Sequence, residues 1–135
     1  MSALRSLSLV LAMSLATAAT AADFDGSVPL TCAALQAHDC LPDAATCSKV
    51  KPESDIKPVF GIDFAKKELR SPYRTALLSI VTTRTNSDSL VMQGGDLLAA
   101  WSALVDKKTG ALTVAIADSK GAYVAFGQCK VAEKK

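Results

Sequence analysis

The stretch "ALTVAIADSKGAYVAFGQC", residues 111–129, decides the fold. Leu112, Val114 and Ile116 recur at every second position and alternate with Thr and Ala. That is the period of a half-buried strand. Asp118-Ser119-Lys120-Gly121 follows, with glycine where a hairpin needs a positive φ. The segment after it places Val124 and Phe126 on one face and Cys129 on the other. The whole reads as one antiparallel hairpin.

Working back toward the N-terminus, the pattern repeats. "AAWSALVD" puts Trp101, Ala103 and Val105 on one face, and Asp106 to Gly110 forms the next turn. "LVMQ" is a strand that Gly94-Gly95 ends or bulges. "NSDS" is a turn, and "TALLSIVTTRT", residues 75–85, is rich in the β-branched residues strands favour. "AKKELRSPYR" is polar and broken by Pro72, so it reads as a loop or distorted edge. In "PVFGIDF", Phe60, Ile62 and Phe64 alternate with Gly61 and Asp63. Turn signals at Asn86, Gly94, Gly110 and Gly121 recur at an interval expected of all-β chains. The expectation is a mainly β fold, an antiparallel meander of five to seven strands, strongly twisted or barrel-like. A flatter sheet with a helix on one face is the alternative, and there is no room for the crossover helices of a parallel α/β fold.

The N-terminal third reads differently. Arg5, the apolar run Leu7 to Leu15 and the small residues Ala16 to Ala22 have the layout of a secretory signal peptide, residues 1–22, cut after Ala21 or Ala22. The apolar part is about half the roughly 20 residues a spanning helix needs. Residues 23–57 form a Cys-rich segment, in which "PLTCAALQAH" predicts a short helix and Ser48 to Pro58 an extended connection. Residues 58–131 carry the meander, as one globular domain with 23–57.

Export places Cys32, Cys40, Cys47 and Cys129 in an oxidising compartment, periplasmic or fully secreted. An even count in a small exported domain reads as a disulfide framework, and four cysteines allow three pairings. Were Leu30 to Asp39 a helix, Cys32 and Cys40 would lie roughly 12 Å apart along its axis, beyond the ~7 Å a disulfide tolerates. Cys40–Cys47 and Cys32–Cys129 are then preferred, with the connectivity itself left open by sequence. The close Cys pairs of a zinc site are absent, as is the C-x-x-C of a redox centre or a haem attachment, so neither metal nor cofactor is expected. The lone His38 reads as a polar surface or cap residue.

Chemistry is harder to find. The 15 basic residues are scattered, and removal of Arg5 with the signal leaves 14 against 13 acids. No basic stripe suits nucleic acid. There is no nucleophile elbow, no metalloprotease motif and no phosphate loop, and the acids Asp88, Asp106 and Asp118 fall in turns. Catalysis is not expected. A protein partner is the first expectation, in a non-catalytic binding or envelope accessory role, with "RSPYR" offering Arg70, Tyr73 and Arg74 as an exposed contact. The alternative is a small apolar ligand held inside the curled sheet by Trp101, Phe60, Phe64, Phe126 and Met92. Against that stands the ordinary reading of these five as core.

Several pieces taken together, "LTC", Cys40, Cys47, "PVFGIDF", the block from "LVMQGG" to "LTVAI" and the closing "AYVAFGQC", resemble a group of uncharacterised small exported proteobacterial proteins. The resemblance covers nearly all of the chain after residue 22. It implies the β-meander and the disulfides and assigns no activity to any residue.

Overall fold

The computed structural model describes residues 24–52, 57–73 and 77–133. The signal-peptide reading lies outside these residues. Ten strands form among them and no helix: β1 (Leu30–Cys40), β2 (Ser48–Val50), β3 (Val59–Asp63), β4 (Glu68–Arg70), β5 (Leu77–Ser79), β6 (Thr82–Thr85), β7 (Ser89–Gly95), β8 (Ala99–Asp106), β9 (Ala111–Asp118) and β10 (Gly121–Val131). They make one antiparallel sheet in the order β5-β4-β3-β1-β10-β9-β8-β7-β6, with β2 paired to β1 beside this path. The strand count exceeds the expected five to seven because the expected helix is β1 and for three further reasons. The polar stretch after Phe64 contains β4, the expected connection contains β2, and residues 75–85 split into β5 and β6.

The split is what curls the sheet. β5 and β6 lie at opposite ends of the strand order yet are separated in the chain by only Ile80 and Val81. The Ile80 amide donates to the Lys67 carbonyl at 2.8 Å, toward β4, and the Val81 amide donates to the Gln93 carbonyl at 2.9 Å, on β7. One bent run of chain therefore serves both ends. Counted as a single strand, it leaves an up-and-down meander whose last strand, β10, returns to pair with its first, β1.

Alternation fills the interior. Trp101, Ala103 and Val105 of β8 face inward with Leu112 and Val114 of β9, as their period implies. On β10 the inward set is Tyr123, Ala125, Gly127 and Cys129, while Val124 and Phe126 stand half-buried on the outer face. Phe126 was expected to line the interior. Here the interior is already crowded by Phe60, Tyr73 and Tyr123, whose rings lie 5.9 and 5.6 Å apart in sequence of contact. Phe24 packs at one end of the sheet against Gly110, whose φ of 73° and close neighbours Phe24 and the Cys129 carbonyl leave no room for a side chain. Tyr73 is buried in ring contact with Phe60 and Tyr123.

The expected N-terminal helix is a strand. Ala, Leu and Gln favour helix by only a few tenths of a kcal/mol per residue. Pairing to β10 on one side and to β2 and β3 on the other outweighs that preference. Leu30 and Cys32 face inward, a bulge at Leu35 shifts the register between Ala34 and Gln36, and Ala37 becomes the next inward residue. Cys32 bonds to Cys129 and Cys40 to Cys47. The preferred pairing is thus present, but for another reason: in an extended strand Cys32 and Cys40 are roughly 27 Å apart.

Candidate functional site

The turn between β7 and β8 is built by one carboxylate. Asp96 accepts hydrogen bonds from the amides of Leu98 (2.7 Å) and Ala99 (3.0 Å), and its own amide donates to the Ala99 carbonyl at 2.9 Å. The Leu98 and Ala99 amides hold the Asp96 carboxyl below its ordinary pKa. A side chain so engaged fixes the turn and leaves its two central residues, Leu97 and Leu98, pointing to solvent at 103% and 80% exposure. Leu77 at the start of β5 and Val81 at the β5–β6 bend are exposed too. These are four large aliphatic side chains on elements that line the same end of the sheet.

Trp101 lies between them. It pairs with Gly94 across the β7–β8 ladder. A Cβ at position 94 would overlap the Ser79 carbonyl and lie 2.5 Å from the indole Nε1, so the missing side chain is what lets β5 cross close to β7. Trp101 is 5% exposed, and its Nε1–H has no acceptor among the described residues. A buried donor left unpaired costs roughly 1–3 kcal/mol.

Three hollows surround this ring and turn. One of about 420 Å³ is lined by Val81, Thr82, Gln93, Gly94, Gly95, Ala100 and Trp101. A smaller one, about 70 Å³, lies between Leu77, Leu78, Asp96 and the other side of Trp101. A third, about 600 Å³, is bounded by Leu97, Leu98, Asp118, Ser119 and Lys120. The first two share Gly95 and Trp101. Among the described residues their linings carry a single ionisable group, Asp96, which the turn already uses.

The residues expected to line an interior pocket are dispersed. Trp101 borders the hollows just described. Phe60 and Met92 are fully buried core, Phe64 is half-buried against that core, and Phe126 is on the outer face. Of the expected exposed contact, Arg70 is on the surface, Tyr73 is 2% exposed, and Arg74 lies outside the described residues. Tyr73 is turned inward because the Ser71 hydroxyl accepts its amide at 3.1 Å, and burial raises its phenol above the ordinary value. Asp63, noted for standing in a strand, accepts the Lys66 amide at 3.0 Å and ends β3. Leu77, Val81, Leu97 and Leu98 were passed over in the sequence. The available signal was "DLL" straight after Gly94-Gly95, an apolar pair where a hairpin turn is ordinarily polar.

All four cysteines are paired, which is compatible with an oxidising, extracellular compartment. Among the described residues no helix is long and apolar enough to cross a membrane. Comparison with protein-family models, with curated proteins and with solved structures finds no match.

Proposed function

We propose that this is an exported, non-catalytic binding protein that holds a protein partner against the apolar rim at the Trp101 end of the sheet. The observation that carries the reading is the placement of Leu77, Val81, Leu97 and Leu98 around hollows bordered by a buried indole whose N–H has no acceptor among the described residues. Exposed aliphatic groups gathered beside an aromatic floor are the composition of an interface core. A partner's aliphatic side chain would fill the hollow, and a carbonyl beside it would accept the indole proton. The two disulfides fit an extracellular working place.

The test is a photo-crosslinking residue placed at Leu97 and, as control, at Arg84 on exposed β6. A discrete adduct at position 97, lost in Leu98→Ser, supports the rim. Equal labelling at both positions, or none at either, removes it. A second reading is favoured by the volume of the hollow beside Trp101, which falls within the roughly 300–1,000 Å³ of small-molecule sites. In that case native mass spectrometry of the exported protein finds an added mass that denaturation releases, and no protein adduct forms.

A further inference from the structure

The two disulfides sit in opposite surroundings. Cys32 and Cys129 face inward and are 0% and 6% exposed. Cys47 is exposed, as is every residue from Leu41 to Lys49, and Cys40 is half-buried. The Leu41 carbonyl accepts the Ala44 amide at 3.2 Å, so the loop between these two cysteines is a turn in solvent. A thiolate reaches Cys47 without any strand moving. It reaches Cys32–Cys129 only when the sheet opens.

The register adds basic neighbours. β2 pairs with β1 as Ala37 with Val50, His38 with Lys49 and Asp39 with Ser48. Cys40 and Cys47 stand where the next pair of that register falls, 4.3 Å apart at Cα. Ala37 faces the interior, so alternation puts His38 and Cys40 on the outer face, with Lys49 and Cys47 across from them. Residues two apart on a strand are about 7 Å apart. The chain's one histidine and a lysine thus stand beside the bridge on its own face, while Asp39 faces the other way. Positive charge beside a sulfur stabilises its thiolate. A sulfur so stabilised leaves faster in exchange.

We infer that Cys40–Cys47 is a thiol–disulfide exchange site, opened by a dithiol reductant while Cys32–Cys129 stays closed. A thiolate of the dithiol attacks Sγ of the exposed Cys47. The S–S bond breaks, and Cys40 leaves as a thiolate on the face of His38 and Lys49 and takes up a proton. The second thiol of the reductant, deprotonated, attacks the mixed disulfide and frees Cys47, which is protonated in turn. Two electrons pass to the protein, and the two dithiol protons end on Cys40 and Cys47. The reductant departs as its own disulfide.

Opening has a defined structural result. β2 has three residues, pairs only with β1 among the described residues, and sets Val50 against the core. The bridge at its head closes that short ladder, and without it β2 detaches. β1 remains held along its length by β10 and, from Leu30 to Ala33, by β3. The edge of β1 from Ala37 to Asp39 is then bare, and the rest of the sheet keeps its form. Reoxidation restores the latch.

The test places the folded, disulfide-intact protein in mixtures of reduced and oxidised dithiothreitol at about pH 7. Iodoacetamide alkylation and peptide mass mapping follow each bridge. Cys40 and Cys47 should be labelled together, at least about a hundredfold faster than Cys32 and Cys129. In that reduced protein, amides of residues 37–39 and 48–50 should lose at least about tenfold protection from hydrogen exchange, while β8 and β9 keep theirs. Cys40→Ser/Cys47→Ser should show the same exchange pattern with no reductant. Lys49→Glu should slow reduction about tenfold. Lys66→Glu, on the exposed β3–β4 turn at the other end of β1, should leave the rate unchanged. Equal rates for the two bridges, or Cys32–Cys129 opening first, overturn the inference. So does hydrogen exchange that is the same before and after reduction, and so does a Lys49→Glu rate equal to that of the wild type.

Discussion

Cys32 and Cys129 face each other as register partners in the β1–β10 ladder, and the disulfide between them joins the first and last long strands, 97 residues apart in sequence. Cys40–Cys47 closes a loop of only seven. In the chain-entropy account the long bridge contributes about 4.7 kcal/mol and the short one about 2.4 kcal/mol. Cys32→Ala/Cys129→Ala should therefore lower stability about twice as much as Cys40→Ala/Cys47→Ala. Urea titrations of the two double variants, with peptide mapping of the remaining bridge, measure the difference. Equal losses would mean that the ladder, rather than the closed loop, sets the contribution.

Gly94→Ala should destabilise by about 1–3 kcal/mol or block folding, because the new methyl meets a backbone carbonyl that cannot swing aside. Gly61→Ala is the control, since the nearest atom there is Arg70 Cβ at 3.9 Å. Thermal melts should separate the two by at least about 4 °C. Trp101 fluorescence should shift only in the position-94 variant.

Acid should weaken the turns. The Ser27 hydroxyl lowers the pKa of Asp25, and backbone amides of Lys66, Leu98 and Thr109 lower those of Asp63, Asp96 and Asp106. A carboxyl depressed in the folded state adds stability above its unfolded value of about 3.9 and loses it as pH falls through the folded value. Stability should decline below about pH 4, with a shallower decline in Asp106→Asn. Denaturation midpoints taken between pH 2 and pH 6 test the sign.

Alkali should act through Tyr73. Burial raises its phenol, so the folded state favours the neutral form. That contribution is complete below the unfolded value of about 10 and fades as pH rises through the folded one. Tyr73→Phe should keep the tilted contact with Phe60 and the edge contact with Tyr123 and flatten the alkaline limb of the stability curve. Ultraviolet titration should find a late-ionising phenol in the wild type that is lost in the variant.

The turns were the most legible part of the sequence, and their chemistry explains why. Asp106 accepts the amides of Lys108 and Thr109, and Asp118 those of Lys120 and Gly121. Asn86 does the same for Asp88 and Ser89. Each of these is a contact within three residues, so the residue type announces it. The candidate site was less legible. Trp101 stands in the sequence as one of five candidate pocket residues, and the leucines beside it are exposed because Asp96 holds the turn and β5 passes over Gly94.

Sequence by itself determined the period-two strands, the turns between β6 and β10 and the preference for two disulfides. These depend on alternation, on short-range hydrogen bonding and on cysteine count. Only the tertiary structure decided that β1 is extended, that β10 buries Tyr123 and Ala125 rather than Val124 and Phe126, and that the chain changes partners at Ile80–Val81. It also decided that Tyr73 is buried against Phe60 and Tyr123. In each case local preferences differ by a few tenths of a kcal/mol per residue. The ladders and ring contacts that override them come from segments distant in the chain.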